Sequence, residues 1–275
     1  MVVLSHMNQI QAIVLGIVQG FTEFLPISSS AHLVLVPHFF YWQDPGLAYD
    51  VALHMGTLAA ILVFFHRDWL QISKDTLGLL SQKRPSSEVQ IQHLIVGCVP
   101  AAVAGVLLGE HAETTFRNPL LIAFTLASFG LLLWHFDRNG RKRDGLQALT
   151  LKHAAIIGCA QAFAIIPGVS RSGVTITAVL ALGLTRPASA RFSFLLSAPI
   201  IAGAGMVKSK HILEAYRSAP EIGSAMLIGF VASMVSGLAA IGLLQAIIKN
   251  RTFAPFVVYR LALALAIALS PMWAS

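Results

Sequence analysis

The sequence predicts an all-α polytopic membrane protein, with six transmembrane helices plus two re-entrant helical hairpins in inverted repeats. Three observations lead there. Of the 275 residues, 56% are apolar and 11% are charged, whereas a soluble domain carries roughly 25% charged residues to face water. Apolar runs of about 17 to 25 residues, enough to cross about 30 Å of hydrocarbon as helix, recur along the chain. Two further apolar stretches are each broken by a short polar tip. The mean hydropathy is +0.74. These figures exclude a disordered chain, a nucleic-acid-binding domain and a disulfide scaffold, since Cys98 and Cys159 both lie inside apolar runs. The formal charge of +7 reports first on topology and carries little functional weight.

The six spans are expected near 47–66, 91–109, 119–136, 192–207, 224–248 and 253–270, the run at 192–207 being the shortest. The two broken stretches are 10–25 with 31–41 around Pro26 to Ser30, and 154–166 with 174–184 around Pro167 to Gly173. Neither arm of either pair can span alone. Irregular backbone at membrane depth is tolerated only inside protein or against a wet cavity, so both pairs read as hairpins facing such a cavity. The first nine residues, MVVLSHMNQ, carry no Lys or Arg and no small-residue cleavage site follows the first apolar run. A retained N-terminus is therefore expected.

Cytoplasmic loops collect Lys and Arg. In this layout thirteen of them fall on one face, in 67–90, 137–153, 185–191 and 249–252. Four fall on the other, Arg117, Lys208, Lys210 and Arg217. Both termini are then outside. The hairpins resemble each other: Gly16-x-x-Gln19-x-Phe21 leads to Pro26-Ile27-Ser28, and Gly158-x-x-Gln161-x-Phe163 leads to Pro167-Gly168-Val169-Ser170 with a one-residue slip. Three crossings separate them, and an odd number inverts the second copy, an architecture best known in transporters. The chain is thus a single membrane domain, 1–275. Repeat one covers about 8–136 and repeat two about 152–270, with the basic cytoplasmic loop 137–151 between them.

Charges within membrane segments are costly and are functional candidates by default. Four stand out: Glu23, Asp50, Arg171 and Arg260. Gln19 and Glu23 share a helix face at i, i+4, and beyond Pro26 come Ser28, Ser29, Ser30 and His32. The second tip, Pro167 to Thr175, reads as an anion cradle. Gly168 and Gly173 admit a ligand close to the backbone, the following helix N-terminus favours anions, and Ser170, Ser172 and Thr175 add hydroxyls. Arg171 supplies a planar fork suited to phosphate oxygens; it can also simply pair with Glu23. Asp50 and His54 share a face of the first full span, as supporting partners, packing polars or metal ligands in that order. Arg260, near the cytoplasmic end of the last span, is expected to snorkel to the interface. No histidine spacing resembles a zinc site.

At these tips the sequence resembles the undecaprenyl-diphosphate phosphatase family, the bacitracin-resistance type. Gln19-Gly20-Phe21-Thr22-Glu23-Phe24-Leu25-Pro26-Ile27-Ser28-Ser29-Ser30-Ala31-His32 is similar to its (E/Q)GxTEFLPxSS(T/S)xH box. Pro167-Gly168-Val169-Ser170-Arg171-Ser172-Gly173-Val174-Thr175-Ile176 is similar to its PGxSRSGxT box. The resemblance implies removal of the terminal phosphate of undecaprenyl diphosphate in the bacterial inner (plasma) membrane, with the active site opening to the periplasmic side and a divalent cation, Mg or Ca, as cofactor. It carries the acidic role onto Glu23, the nucleophile or its partner onto Ser29 and His32, and phosphate binding onto Arg171 with Ser170, Ser172 and Thr175. Ser28, Ser30, Gly168 and Gly173 join them as substrate-binding candidates, and Glu23 and Gln19 as candidate metal ligands. Gln19 stands where many members have a second Glu, and Ala31 where many have Gly. The implied partners are a polyprenyl diphosphate lipid substrate, membrane lipids and, as a candidate, a second copy in a homodimer, with no nucleic acid.

The chemistry suits the residues. Phosphoryl transfer asks chiefly for positioning and neutralisation of negative charge, and a hydroxyl nucleophile needs a base. Either His32 or Glu23 can take the Ser29 proton, or His32 can itself attack. A secondary transporter or lipid flippase is the first rival, favoured by the inverted repeat. The type-2 phosphatidic acid phosphatase superfamily is a second, but after Arg171 the next histidine is His211, too distant for its serine, arginine and histidine boxes. A membrane scaffold would leave Glu23 and Arg171 without a reason to lie at membrane depth.

Overall fold

The computed structural model describes residues 8–79, 85–113, 116, 118–218 and 221–270. Lys83, Arg84 and Arg117, which entered the orientation count, lie outside the described residues. The fold is helical: α1 (Gln9–Phe24), α2 (Ser29–Phe39), α3 (Leu47–Phe64), α4 (His66–Leu79), α5 (Ile91–Glu113), α6 (Pro119–Asn139), α7 (Leu151–Ala162), α8 (Arg171–Ala181), α9 (Arg186–Ser218), α10 (Glu221–Asn250) and α11 (Ala254–Leu269).

Local chemistry sets the boundaries that matter for the tips. Asn8 and Gln11 form a capping box that starts α1, satisfying two otherwise orphaned donors. Leu25 is extended and Pro26 follows, so α1 stops there because the pyrrolidine ring cannot continue the ladder. Thr150 caps α7 through the His153 amide. The first arm of the second pair ends in a 3-10 turn at Phe163–Ile165 ahead of Pro167.

Among the described residues, five helices are long and apolar enough to cross a membrane: α3, α5, α6, α9 and α10. They coincide with five of the six expected spans. The sixth, expected at 253–270, is α11, which has 16 residues, about 24 Å of helix. The run at 192–207, the shortest on sequence, is instead part of a 24-residue apolar stretch, Arg186–Ser209. Its polar residues explain the difference. Ser189, Ser193 and Ser197 recur every fourth position and are all fully buried, so they face protein and interrupt nothing on the lipid side.

α1 packs along α10, α7 along α5, α3 against α9 and α6 against α11. The α1–α10 contact is close: a Cβ on Gly20 would overlap Ser236 and the Ser233 carbonyl. Small residues let backbones approach in this way, and packing of that kind is what holds helices together in lipid. The main core joins Phe24 and Ile27 of the first tip to Ile176, Phe192 and Phe194 beside the second. Below it, Asp137 accepts from Arg186 Nε at 2.5 Å and from the Phe253 amide at 2.9 Å, tying together the ends of α6, α9 and α11. Arg191 similarly joins α9 to Asp68 on α4 and to Glu88.

Candidate active site

The two polar tips meet inside the molecule. The Gly168 amide donates to Ser28 Oγ at 3.2 Å, and Ser172 Oγ donates to the Leu25 carbonyl at 3.2 Å, so each tip holds the other's backbone. Ser28 and Ser170 precede α2 and α8 with φ of 78° and 70°, a region that costs a residue with a side chain about 1–3 kcal/mol. Within each tip a hydroxyl pair closes the turn, Ser28 with Ser30 at 3.2 Å and Ser170 with Ser172 at 3.3 Å. Gly168, with φ of 90°, lies so close to α6 that a Cβ there would overlap the Thr125 side chain and the Ile122 carbonyl.

Glu23 is the meeting point. Its Oε1 accepts from Arg171 Nη2 at 2.6 Å, and its Oε2 accepts from Ser29 Oγ at 2.5 Å and from Gln19 Nε2 at 3.2 Å. The carboxylate is buried, and Arg171 is 14% exposed. Helix geometry explains this convergence. Gln19 and Glu23 stack on one face of α1, while Ser29 and Arg171 are the first helical residues after the two strained serines. Arg171 Nη1 donates to the Ser193 carbonyl at 3.2 Å, and Thr175 contacts Ser193 Oγ at 2.6 Å and donates to the Arg171 carbonyl at 2.8 Å. The bond to the Ser193 carbonyl fixes where the guanidinium points.

A cavity of about 420 Å³ opens beside this cluster, and its walls include Glu23, Ser29, Ser30, Asp50, His54, Gln161, Ser170, Arg171 and Lys208. Of the site residues expected from sequence, Glu23, Ser29, Ser30, Ser170 and Arg171 therefore line it. Ser28, His32, Gly168, Ser172, Gly173, Thr175 and Gln19 are not among the lining residues. All seven are buried.

His32 is held away from the reacting groups. Its Nδ1 is 2.7 Å from the Ser28 carbonyl, which only accepts, so Nδ1 carries the hydrogen. Nε2 is 2.6 Å from the Tyr259 hydroxyl, and the two rings stack with centroids 5.6 Å apart. Both ring nitrogens are thus occupied by groups other than Ser29.

Arg260 does not snorkel. It is fully buried, and its guanidinium donates to five backbone carbonyls: Pro26 at 3.3 Å, Thr125 at 3.3 Å, Leu126 at 3.0 Å, Gly168 at 2.8 Å and Val169 at 3.1 Å. It staples both tips to α6. The carbonyls freed where Pro26 and the 167–169 turn break helical pairing make this possible, and only the folded chain brings them together. Lys208 and Gln161, on α9 and α7, are cavity residues that sequence reasoning did not single out. Gln161 had a signal, its match to Gln19 in the repeat; Lys208 stood only among the outward charges.

The donor set does not build a cage for a divalent cation. No group of three or more His, Cys, Asp or Glu residues that could hold one occurs among the described residues. Mg²⁺ asks for near-octahedral oxygen coordination, whereas both Glu23 oxygens already serve Arg171 and Ser29. Gln19 is fully buried, with Nε2 turned to Glu23 and Oε1 without a hydrogen-bond partner. The expectation that Glu23 and Gln19 hold the metal is not supported by this geometry.

Comparison with known proteins agrees with the two boxes. The chain is 48% identical to an undecaprenyl-diphosphatase of Moorella thermoacetica (strain ATCC 39073 / JCM 9320), over 97% of this chain and 99% of that protein. It is 47% identical to an undecaprenyl-diphosphatase of Pelotomaculum thermopropionicum (strain DSM 13744 / JCM 10971 / SI), over 95% and 96%. A third, from Geobacter metallireducens (strain ATCC 53774 / DSM 7210 / GS-15), is 46% identical over 93% and 95%. Residues 12–266 match the family described as bacitracin resistance protein BacA, and the chain belongs to that family.

Proposed function

We propose that this membrane phosphatase removes the terminal phosphate of undecaprenyl diphosphate, giving undecaprenyl phosphate and inorganic phosphate and so recycling the lipid carrier of cell-wall synthesis. The observation that carries the reading is the Glu23 carboxylate held between the Arg171 guanidinium and the Ser29 hydroxyl at the wall of a cavity. The relatives' names supply the substrate.

In this reading Ser29 is the nucleophile. Glu23 Oε2 takes its proton along the 2.5 Å hydrogen bond, Oγ attacks the terminal phosphorus, and the bridging P–O bond breaks with its electron pair leaving on the lipid phosphate. A guanidinium has five N–H donors. Arg171 spends donors on Glu23 and Ser193, and the rest serve the oxygens on which charge develops. The occupied nitrogens of His32 favour Ser29 over a phosphohistidine route, and leave His32 with Tyr259 to support the Ser28 turn. Ser30 and Ser170 add hydroxyls at the cavity wall. Among the described residues no group of three or more candidate ligands offers a cage for a divalent cation, so in this reading such an ion travels on the diphosphate's own oxygens.

The topology belongs to the same proposal. The α1–α2 and α7–α8 pairs are re-entrant and related as inverted repeats, with α11 completing six crossings, both termini outside and the site opening to the periplasmic face of the inner membrane. Supporting this, the first arm of each pair packs in the opposite half of the chain, α1 on α10 and α7 on α5. The deciding experiment is phosphate release from undecaprenyl diphosphate by the purified chain in detergent micelles, where no second compartment exists. Release by the wild type that is lost in Arg171→Ala supports the enzyme. Absence of release, or full release by that variant, refutes it.

A further inference from the structure

The cavity beside Glu23 has two characters. Glu23, Ser29 and Arg171 give it a polar end, whereas much of the remaining wall is apolar: Val51 and Met55 on α3, Ala101 and Gly105 on α5, and Ile200 and Ala204 on α9. A phosphorylated lipid has the same division, a charged head and a hydrocarbon chain. At about 420 Å³ the cavity is at the small end of the range that encloses a drug-sized ligand, roughly 300–1,000 Å³. It cannot enclose a diphosphate together with a whole undecaprenyl chain, so the chain must leave it.

Apolar surface left in water is unfavourable in proportion to its area, so that exit has to reach hydrocarbon. Of the apolar residues lining the cavity, Gly105 and Ala204 are the exposed ones, and they lie on neighbouring helices. Beside them Val106, Leu107, Met206 and Val207 are between 71% and 85% exposed, an apolar surface suited to lipid. The depth agrees. The apolar stretches of α5 and α9 end at Gly109 and Ser209, which puts Gly105 and Ala204 about 6 and 7.5 Å of helix inside those ends. The gap has room, since a Cβ on Gly105 would meet no atom within 4 Å. A second apolar hollow, between α1 and α10 around Ile13, Ile17 and Val231, shares no lining residue with the cavity.

We infer that the polyprenyl chain of the substrate leaves the cavity sideways into the bilayer between α5 and α9, over Gly105 and Ala204, and that the missing side chain at Gly105 sets the width of this passage. The inference rests on the proposed hydrolysis of undecaprenyl diphosphate and adds to it the path of the chain. The head reaches Arg171 while the chain stays in hydrocarbon, so binding draws little apolar surface out of the bilayer. A side chain at position 105 narrows the passage, whereas a prenyl chain short enough to end inside the cavity does not use it.

The test uses the full chain in detergent micelles, with Gly105→Phe and Gly105→Leu to fill the passage. Both should fold, because the added side chain starts in open space and either residue suits a helix better than glycine. Gly203→Leu, on α9, also in open space and absent from the cavity wall, is the control. The ratio of kcat/KM for undecaprenyl diphosphate to that for farnesyl diphosphate should fall about tenfold or more in both Gly105 variants, chiefly through a raised KM for the long substrate, and should keep its wild-type value in Gly203→Leu. An unchanged ratio, equal loss on both substrates, or the same fall in Gly203→Leu overturns the inference. The path is also read directly, with undecaprenyl phosphate carrying a photoreactive diazirine in an isoprene unit close to the phosphate. Adducts on α5 and α9 around Gly105 and Ala204 support the passage, and adducts confined to the α1–α10 hollow overturn it. This second readout needs no turnover: a wild-type chain that released no phosphate would overturn the phosphatase reading, and the adducts would still decide the passage.

Discussion

Ser28 and Ser170 hold the same uncommon backbone conformation at the heads of two different helices, with φ of 78° and 70°. Each projects the following residue, Ser29 or Arg171, onto opposite oxygens of one carboxylate. The two turns are linked, since Ser28 Oγ accepts from Gly168 N, and Ser170 pairs with Ser172, whose hydroxyl reaches Leu25. Ser170→Ala also removes the cap on the Gly173 amide, worth about 1 kcal/mol. Ser28→Ala should cost a similar amount through its lost bond. Thermal unfolding in detergent of both single variants and the double should reveal coupling beyond about 0.5 kcal/mol. Simple additivity would mean that the tips are independent.

Arg171→Ala should lower phosphate release by more than 100-fold, because charge stabilisation in a water-poor site is worth several kcal/mol. Arg171→Lys keeps a charge without the fork and should recover only part of the loss. Steady-state rates on undecaprenyl diphosphate check both, and a fully active lysine variant would reduce the role to charge alone.

Ser29→Ala and Glu23→Gln should both abolish turnover, while His32→Ala and Tyr259→Phe should slow it by a similar, smaller factor, because His32 and Tyr259 act as one stacked, hydrogen-bonded pair. Rapid quench with a search for phosphoserine and acid-labile phosphohistidine distinguishes the routes. A trapped phosphohistidine at residue 32 would reverse the assignment.

Loss of Arg260 should be a folding defect before it is a catalytic one. Arg260→Leu removes the donor from the Pro26, Gly168 and Val169 carbonyls of the two tips, while Thr125 and Leu126 keep their partners within α6, and each buried polar group left unsatisfied costs about 1–3 kcal/mol. The variant should melt far below the wild type in detergent, or fail to accumulate. Arg260→Lys, with three donors on one atom, should be intermediate. A leucine variant that melts like the wild type would show that the carbonyls find other partners.

Calorimetric titration of the substrate-free chain with Mn²⁺ should show no saturable binding below millimolar concentration, and Glu23→Gln should not alter that result. Tight stoichiometric binding lost in Glu23→Gln would establish a protein-held cation and overturn the reading of the donor set.

The sequence by itself determined the membrane class, five of the spans and both tips. Hydrocarbon thickness and the ban on unpaired backbone in lipid leave apolar length and helix-breaking prolines as direct signals. It also singled out Glu23, Ser29 and Arg171 as candidates, because a charge or a hydroxyl cluster at membrane depth has few other reasons to be there. Only the tertiary structure decided which groups touch. Arg260 looked like a residue near a helix end, and its five carbonyl partners come from three segments separated by up to about half the chain. His32 looked equivalent to Ser29 as a nucleophile until Tyr259, 227 residues away, took its second nitrogen. His54 reached Glu23 only once α3 was packed beside α1. The physical reason is common to all three: periodicity and composition report a residue's surroundings along its own helix, whereas hydrogen-bond partners across helices are set by packing, which no local pattern encodes.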